Sequence, residues 1–201
     1  MGQQSVAGYF QTLSKAMIDM EATDRLGAAM SLDQGAEQAI RMILDTRSDS
    51  RKILLAGNGG SSAIVSHVHN DLCKAVGVRA LVFTEQPLLT ALANDDGYGS
   101  VFEKPITLWA EPNDLVITVS SSGKSENIVR ALKSAADRGC RIMTLSGFSP
   151  DNPSRQTGDL NFYVGSDVYG YVETAHSALL HFLTDKAKAV SATASTARIG
   201  A

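Results

Sequence analysis

Five short apolar runs, separated by segments with helical periodicity, limit most strongly what this chain can fold into. They are Lys52–Ala56, Ala80–Phe83, Leu115–Val119, Ile142–Leu145 and Leu160–Val164. Strands alternating with helices predict an α/β fold, a parallel sheet covered by helices on both faces. The intervening helices are expected around His67, over Leu88–Asn94, over Ser125–Arg138 and over Tyr171–Val190. The third is the clearest: Ile128, Val129, Leu132 and Ala136 form one face, and Gly139 follows as a stop. Upstream, Val6, Tyr9, Phe10, Leu13, Met17 and Met20 recur at spacings of three and four, which predicts an amphipathic helix within Val6–Met30, with a second over Gly35–Leu44. Pro150, Pro153 and Gly158 leave room for no more than a short turn of helix between the fourth and fifth strands. At 201 residues, with no repeat and no dividing linker, one domain is expected over residues 1–190, including N-terminal helices to about residue 48. The small, polar stretch 191–201 is expected to fray.

Charge and hydropathy narrow the function classes. Eighteen Lys and Arg against 21 Asp and Glu give a net charge of −3 and no basic stripe, which disfavours direct nucleic-acid binding. No apolar run approaches the ~20 residues of a membrane helix. The segment MGQQSVAGYF has no secretory pattern, and Val6 stands where a myristoylation signal wants Ser or Thr. Cys73 and Cys140 form neither a CxxC pair nor a disulfide framework, and are expected as buried thiols in a reducing cytoplasm.

Two strand-to-helix loops carry the chemistry. The first strand ends in Gly57-Asn58-Gly59-Gly60-Ser61-Ser62. Its glycines let the backbone approach a ligand and aim amides at an anion, although a tight turn alone also needs glycine. As a dinucleotide fingerprint it fails at Ser62. The third strand ends in Ser120-Ser121-Ser122-Gly123-Lys124-Ser125. A Walker A loop would need glycine at Thr118, but four hydroxyls and a helix start suit a compact phosphomonoester. A serine-rich cap without a ligand is the alternative.

The glycine loop, the pair Asn94-Asp95 and the serine loop, in this order and spacing, resemble the sugar isomerase (SIS) family, specifically the phosphoheptose isomerases. The resemblance runs from about Ile53 to Leu183. It implies a flavodoxin-like three-layer sandwich with a five-stranded parallel sheet. It also implies a cytoplasmic homotetramer that interconverts sedoheptulose 7-phosphate and a heptose 7-phosphate, acting on a phosphosugar without nucleic-acid or membrane partners. Position by position, Asn58, Gly59, Gly60 and Ser61 fall on a substrate loop, Asn94 and Asp95 on a substrate-contacting pair, and Ser120, Ser121, Ser122 and Ser125 on a phosphate cradle. His67, Asp71, Glu173 and His181 fall on the ligands of a zinc ion. Asp71 and His181 are also the implied base and acid, and Glu173 an implied substrate contact.

Taken alone, His67 and Asp71 are an i, i+4 pair on one helical face, whereas Glu173 and His181 lie about two turns apart. Three departures from the family pattern matter. Asp71 stands for a Glu and is one methylene shorter; Glu173 stands for a Gln and adds a charge; Gly170 stands for an Asp. SIS proteins that do not catalyse, and instead sense a phosphosugar or bind a replication initiator, are the alternative. The acid kept at position 71 and the imidazole kept at 181 favour catalysis.

Overall fold

The computed structural model describes residues 5–199, with side chains described as far as residue 192. The five apolar runs form a parallel sheet, from β3 (Lys52–Gly57), β4 (Arg79–Val82), β5 (Leu115–Ser120), β6 (Arg141–Gly147) and β7 (Leu160–Val164). Every residue of β5 and β7 is buried, as expected of strands covered on both faces. The sheet has seven strands, not five. The extra two lie in the segment read as helical: α1 covers only Val6–Ile18, and then β1 (Glu21–Asp24) pairs antiparallel with β7, and β2 (Ala29–Met30) with β1. Asp24 Oδ1 accepts from the amides of Leu26 and Ala28, a turn that ends any helical continuation.

The strand order β2-β1-β7-β6-β5-β3-β4 makes the chain reverse its winding between β3 and β5. α2 (Leu32–Ser48), α3 (Gly59–Asp71) and α7 (Tyr169–Ile199) pack on one face, around Ile43, Val65, Val68, Leu180 and Leu183. α4 (Gln86–Asp95), α5 (Glu103–Trp109) and α6 (Glu126–Asp137) cover the other, around Phe102, Ile106, Ile128 and Leu132. The backbone of residues 191–199, expected to fray, continues α7 as a helix. Ser31 starts α2 with a reciprocal capping box to Gln34.

At the amino ends of the strands, the fully buried Asp114 carboxylate accepts from the amides of Lys52 and Glu111 and pairs with Lys52 Nζ at 2.7 Å. The link staples β3 to the turn before β5. Cys140 is buried there, its thiol pushed up to about 11 by burial. Cys73, expected to be buried, is exposed, because the chain after α3 widens into a π turn (Leu72–Val76) that points Leu72 and Val76 inward instead.

His176 ties α7 to the sheet. Its Nε2 lies 3.1 Å from the Ser146 carbonyl at the end of β6, and the ring is fully buried. Burial pushes the imidazole down from 6.5 to about 4. The unfolded chain takes up this proton below pH 6.5, and the folded chain only near pH 4. The group's contribution is therefore complete above pH 6.5 and is lost as pH falls, by about 3 kcal/mol at pH 4. Urea unfolding at stepped pH should show this fall in the wild type and a shallower one in His176→Gln; parallel curves would refute the assignment.

Candidate active site

Open α/β sheets hold ligands where the winding reverses, outside the carboxyl ends of the strands. Here both sequence-identified loops leave that point, from β3 and from β5. Asn58, with extended backbone (φ −105°, ψ 150°), starts α3 without capping it through its side chain. Its amide reaches across to Asn127 on α6 instead: Asn58 Nδ2 donates to Asn127 Oδ1 at 2.9 Å, and Asn127 Nδ2 donates back to Asn58 Oδ1 at 2.8 Å. Tyr98 Oη donates to the same Asn58 oxygen. Asn127 and Tyr98 were not singled out in the sequence, where neither sits in a motif.

Glycine is required in the first loop for two reasons. A Cβ at Gly57 would lie 2.8 Å from the Ser61 carbonyl, and Gly59 has φ +53° with open space before it. At Gly60 a Cβ would meet the Glu173 carboxylate at 2.4 and 2.6 Å. The carboxylate of α7 is thus seated on the first turn of α3, where the helix dipole favours negative charge. Ser61 is buried in the same turn.

The serine loop is braced from behind. Gly123, at φ +62°, leaves no room for a Cβ, which would fall 1.9 Å from Asn152 Oδ1. The Asn152 amide is tied to Ser146 Oγ and the Ser149 carbonyl, and Ser154 Oγ donates to the Gly123 carbonyl at 2.8 Å. The β6–β7 connection, helix-free as expected, is this brace. Ser120 Oγ accepts from the Gly123 amide at 3.2 Å, and Ser122 Oγ accepts from the Lys124 amide. Ser125 starts α6 without a side-chain capping bond, and the Ser121 hydroxyl is buried with no partner among the described residues. A buried hydroxyl without a partner costs about 1–3 kcal/mol, a cost that a bound acceptor would remove.

The third component lies two turns along α3. His67 Nε2 and His181 Nδ1 approach the same oxygen, Asp71 Oδ2, at 3.6 and 3.5 Å, and the imidazoles meet edge to face with centroids 4.9 Å apart. Asp71 Oδ1 accepts from Asn70. Asp71 is 22% exposed, whereas His67 and His181 are 60% and 48% exposed, so the group opens to solvent. One ligand atom from each lies within 4.8 Å of the others, which suits a single metal ion with an open coordination position. The π turn begins at the next residue, a distortion often found beside functional groups.

The structure therefore joins three of the four residues expected at the zinc and sets Glu173 apart, against the glycine loop. Asn94 and Asp95 lie exposed at the end of α4, the first donating to the second at 2.8 Å. Three residues beyond Asp95, Tyr98 touches Asn58.

The SIS domain family model matches residues 20–147. The phosphoheptose isomerase of Syntrophotalea carbinolica is 32% identical over 90% of this chain and 91% of its own. That of Helicobacter pylori strain Shi470 is 31% identical over 77% and 83%. Among solved structures, phosphoheptose isomerases from Neisseria gonorrhoeae and Francisella tularensis superpose with TM-scores of 0.80 and 0.78, each at 25% identity. The first covers 92% of this chain and 97% of its own, the second 90% and 95%. With these likenesses spanning both loops and the His67, Asp71 and His181 group, the chain belongs to the SIS domain family, among the phosphoheptose isomerases.

Proposed function

We propose that the protein interconverts sedoheptulose 7-phosphate and D-glycero-D-manno-heptose 7-phosphate through an enediol. The observation that carries this reading is the convergence of one carboxylate oxygen, Asp71 Oδ2, with two solvent-facing imidazoles, on a chain that also carries the serine loop at the end of β5. The serine loop holds the phosphate through the Ser121 and Ser125 hydroxyls and the first amides of α6, and binding there fixes the reacting end. Asn58, Gly59 and Gly60 line the sugar chain, with Glu173 accepting from its hydroxyls and Asn94 and Asp95 closing the far side.

In the open-chain ketose, Asp71 takes a proton from C1 while the electrons form a C1–C2 double bond and His181 protonates the C2 oxygen. The C1 hydroxyl then loses its proton to His181, and Asp71 returns a proton to C2, leaving the aldehyde. Two imidazoles and a carboxylate form a donor set that suits zinc, so His67, Asp71 and His181 would hold it. When bound, zinc polarises a substrate oxygen. Glu173 enters this reading as a sugar contact. The α1 helix has no fully buried residue and exposes Val6, Phe10 and Ile18, which supports a homotetramer. Phosphorylated substrates and two free cysteines fit a cytoplasmic enzyme.

Ser121→Ala should weaken binding of inorganic phosphate and of sedoheptulose 7-phosphate about tenfold, while the ligand-free unfolding midpoint does not fall, since the variant sheds the cost of the unpartnered hydroxyl. Calorimetric titration checks this, and unaltered affinity would move the phosphate elsewhere. Zinc at a hundredfold excess over its Kd should stabilise the wild type by about 2.7 kcal/mol, and Asp71→Asn should abolish most of that gain. Thermal unfolding with and without the ion decides it; equal shifts in both proteins would exclude Asp71 as a ligand. Wild type in heavy water should place deuterium at C1 of the ketose and C2 of the aldose. Asp71→Asn and His181→Ala should each slow this about a hundredfold or more, and Asp71→Glu should accelerate it by lengthening the reach. Exchange that survives Asp71→Asn would remove Asp71 as the base.

A further inference from the structure

Gly170, in the first turn of α7, has its side-chain position occupied by another residue. A Cβ there would lie 2.5 Å from the Tyr9 hydroxyl, contributed by α1. The Tyr9 ring packs on Tyr171, with centroids 4.6 Å apart and planes tilted by 43°, and this contact, with Ala16 and Met17 against the core, holds α1 in place. Ring stacking accounts for the aromatic side chain but not for its hydroxyl. Among the described residues no group hydrogen-bonds that hydroxyl, although Tyr9 is half-buried. Its place is fixed: one turn along the same face of α7, at i+3, stands Glu173, whose carboxylate rests on Gly60 of the glycine loop.

We propose that Tyr9 is a substrate-positioning residue, and that its hydroxyl, brought over Gly170 by α1, hydrogen-bonds a hydroxyl of the sugar chain beside Glu173. The inference rests on the phosphosugar reading above and extends it to a residue outside the SIS domain match, which begins at residue 20. A phenol both donates and accepts, whereas the neighbouring carboxylate only accepts. Together they provide complementary partners for the vicinal hydroxyls of a polyol. The arrangement depends on glycine at 170, because any side chain there displaces the phenol.

Two variants test it, each assayed as full-length protein with sedoheptulose 7-phosphate. Tyr9→Phe keeps the ring on Tyr171 and removes only the hydroxyl. It should raise KM and the calorimetric Kd about five- to thirtyfold, with the unfolding midpoint and kcat little changed. Gly170→Ala leaves Tyr9 in the sequence but drives the hydroxyl away, and should raise KM similarly. Adding Gly170→Ala to Tyr9→Phe should then cost little more, since both act through one group. A purely structural Tyr9 would leave KM unchanged in Tyr9→Phe, and that result overturns the assignment while the isomerase reading stands. Wild type that neither binds nor turns over the ketose overturns both.

Discussion

The side-by-side pairing of β3 with β5 is the constraint on which the site depends. Their parallel register sets Gly57 opposite Val119, so both strands end at the same height. α3 and α6 then leave toward opposite faces, because the α3 stripe of Val65 and Val68 faces one core and the α6 stripe of Ile128 and Leu132 faces the other. Two helix starts are thereby held side by side over one crevice. The reciprocal amide pair of Asn58 and Asn127 closes the join, satisfying polar groups that would otherwise compete for ligand.

Rigidity around that join is divided between the two ends of the sheet. At the amino ends, the buried Asp114 takes two backbone amides and Lys52, and burial of such a charge is tolerated only with that many partners. At the carboxyl ends the stiffening is neutral: Ser154 hydrogen-bonds the Gly123 carbonyl, and the Asn152 side chain, tied to Ser146, packs against Gly123 without adding charge. Under the proposed phosphosugar reading a neutral brace suits this loop, since a fixed carboxylate there would repel a phosphate dianion. The two carboxylates of the candidate site, Asp71 and Glu173, lie on α3 and α7.

Much of this was legible in the sequence because it rests on local patterns. Each of the five parallel strands falls within two residues of its apolar run, since a strand buried on both faces has few other readings. The two glycine- and serine-rich loops are equally local. β1 and β2 were hidden because they are four and two residues long and β1 pairs with β7 from more than a hundred residues away, while Met17 and Met20 keep a helical spacing. Asn127 was hidden because its partner lies 69 residues away, and α5 because Pro105 in its first turn reads as a breaker. His67, Asp71 and His181 came from the resemblance, and their meeting depends on how α3 packs against α7, which no spacing encodes. Glu173 could not be placed from the sequence at all, since a carboxylate on that helix face can reach either the imidazoles or the glycine loop.

The position of Glu173 gives the two acids different surroundings. Asp71 spends one oxygen on Asn70 and turns the other toward two imidazoles. Glu173 instead faces the amide end of a helix, where backbone dipoles favour its charge. The first acid is surrounded by side chains that can rearrange; the second faces backbone. Under the proposed isomerase reading, that difference suits Asp71 to moving a proton and Glu173 to holding a hydroxyl.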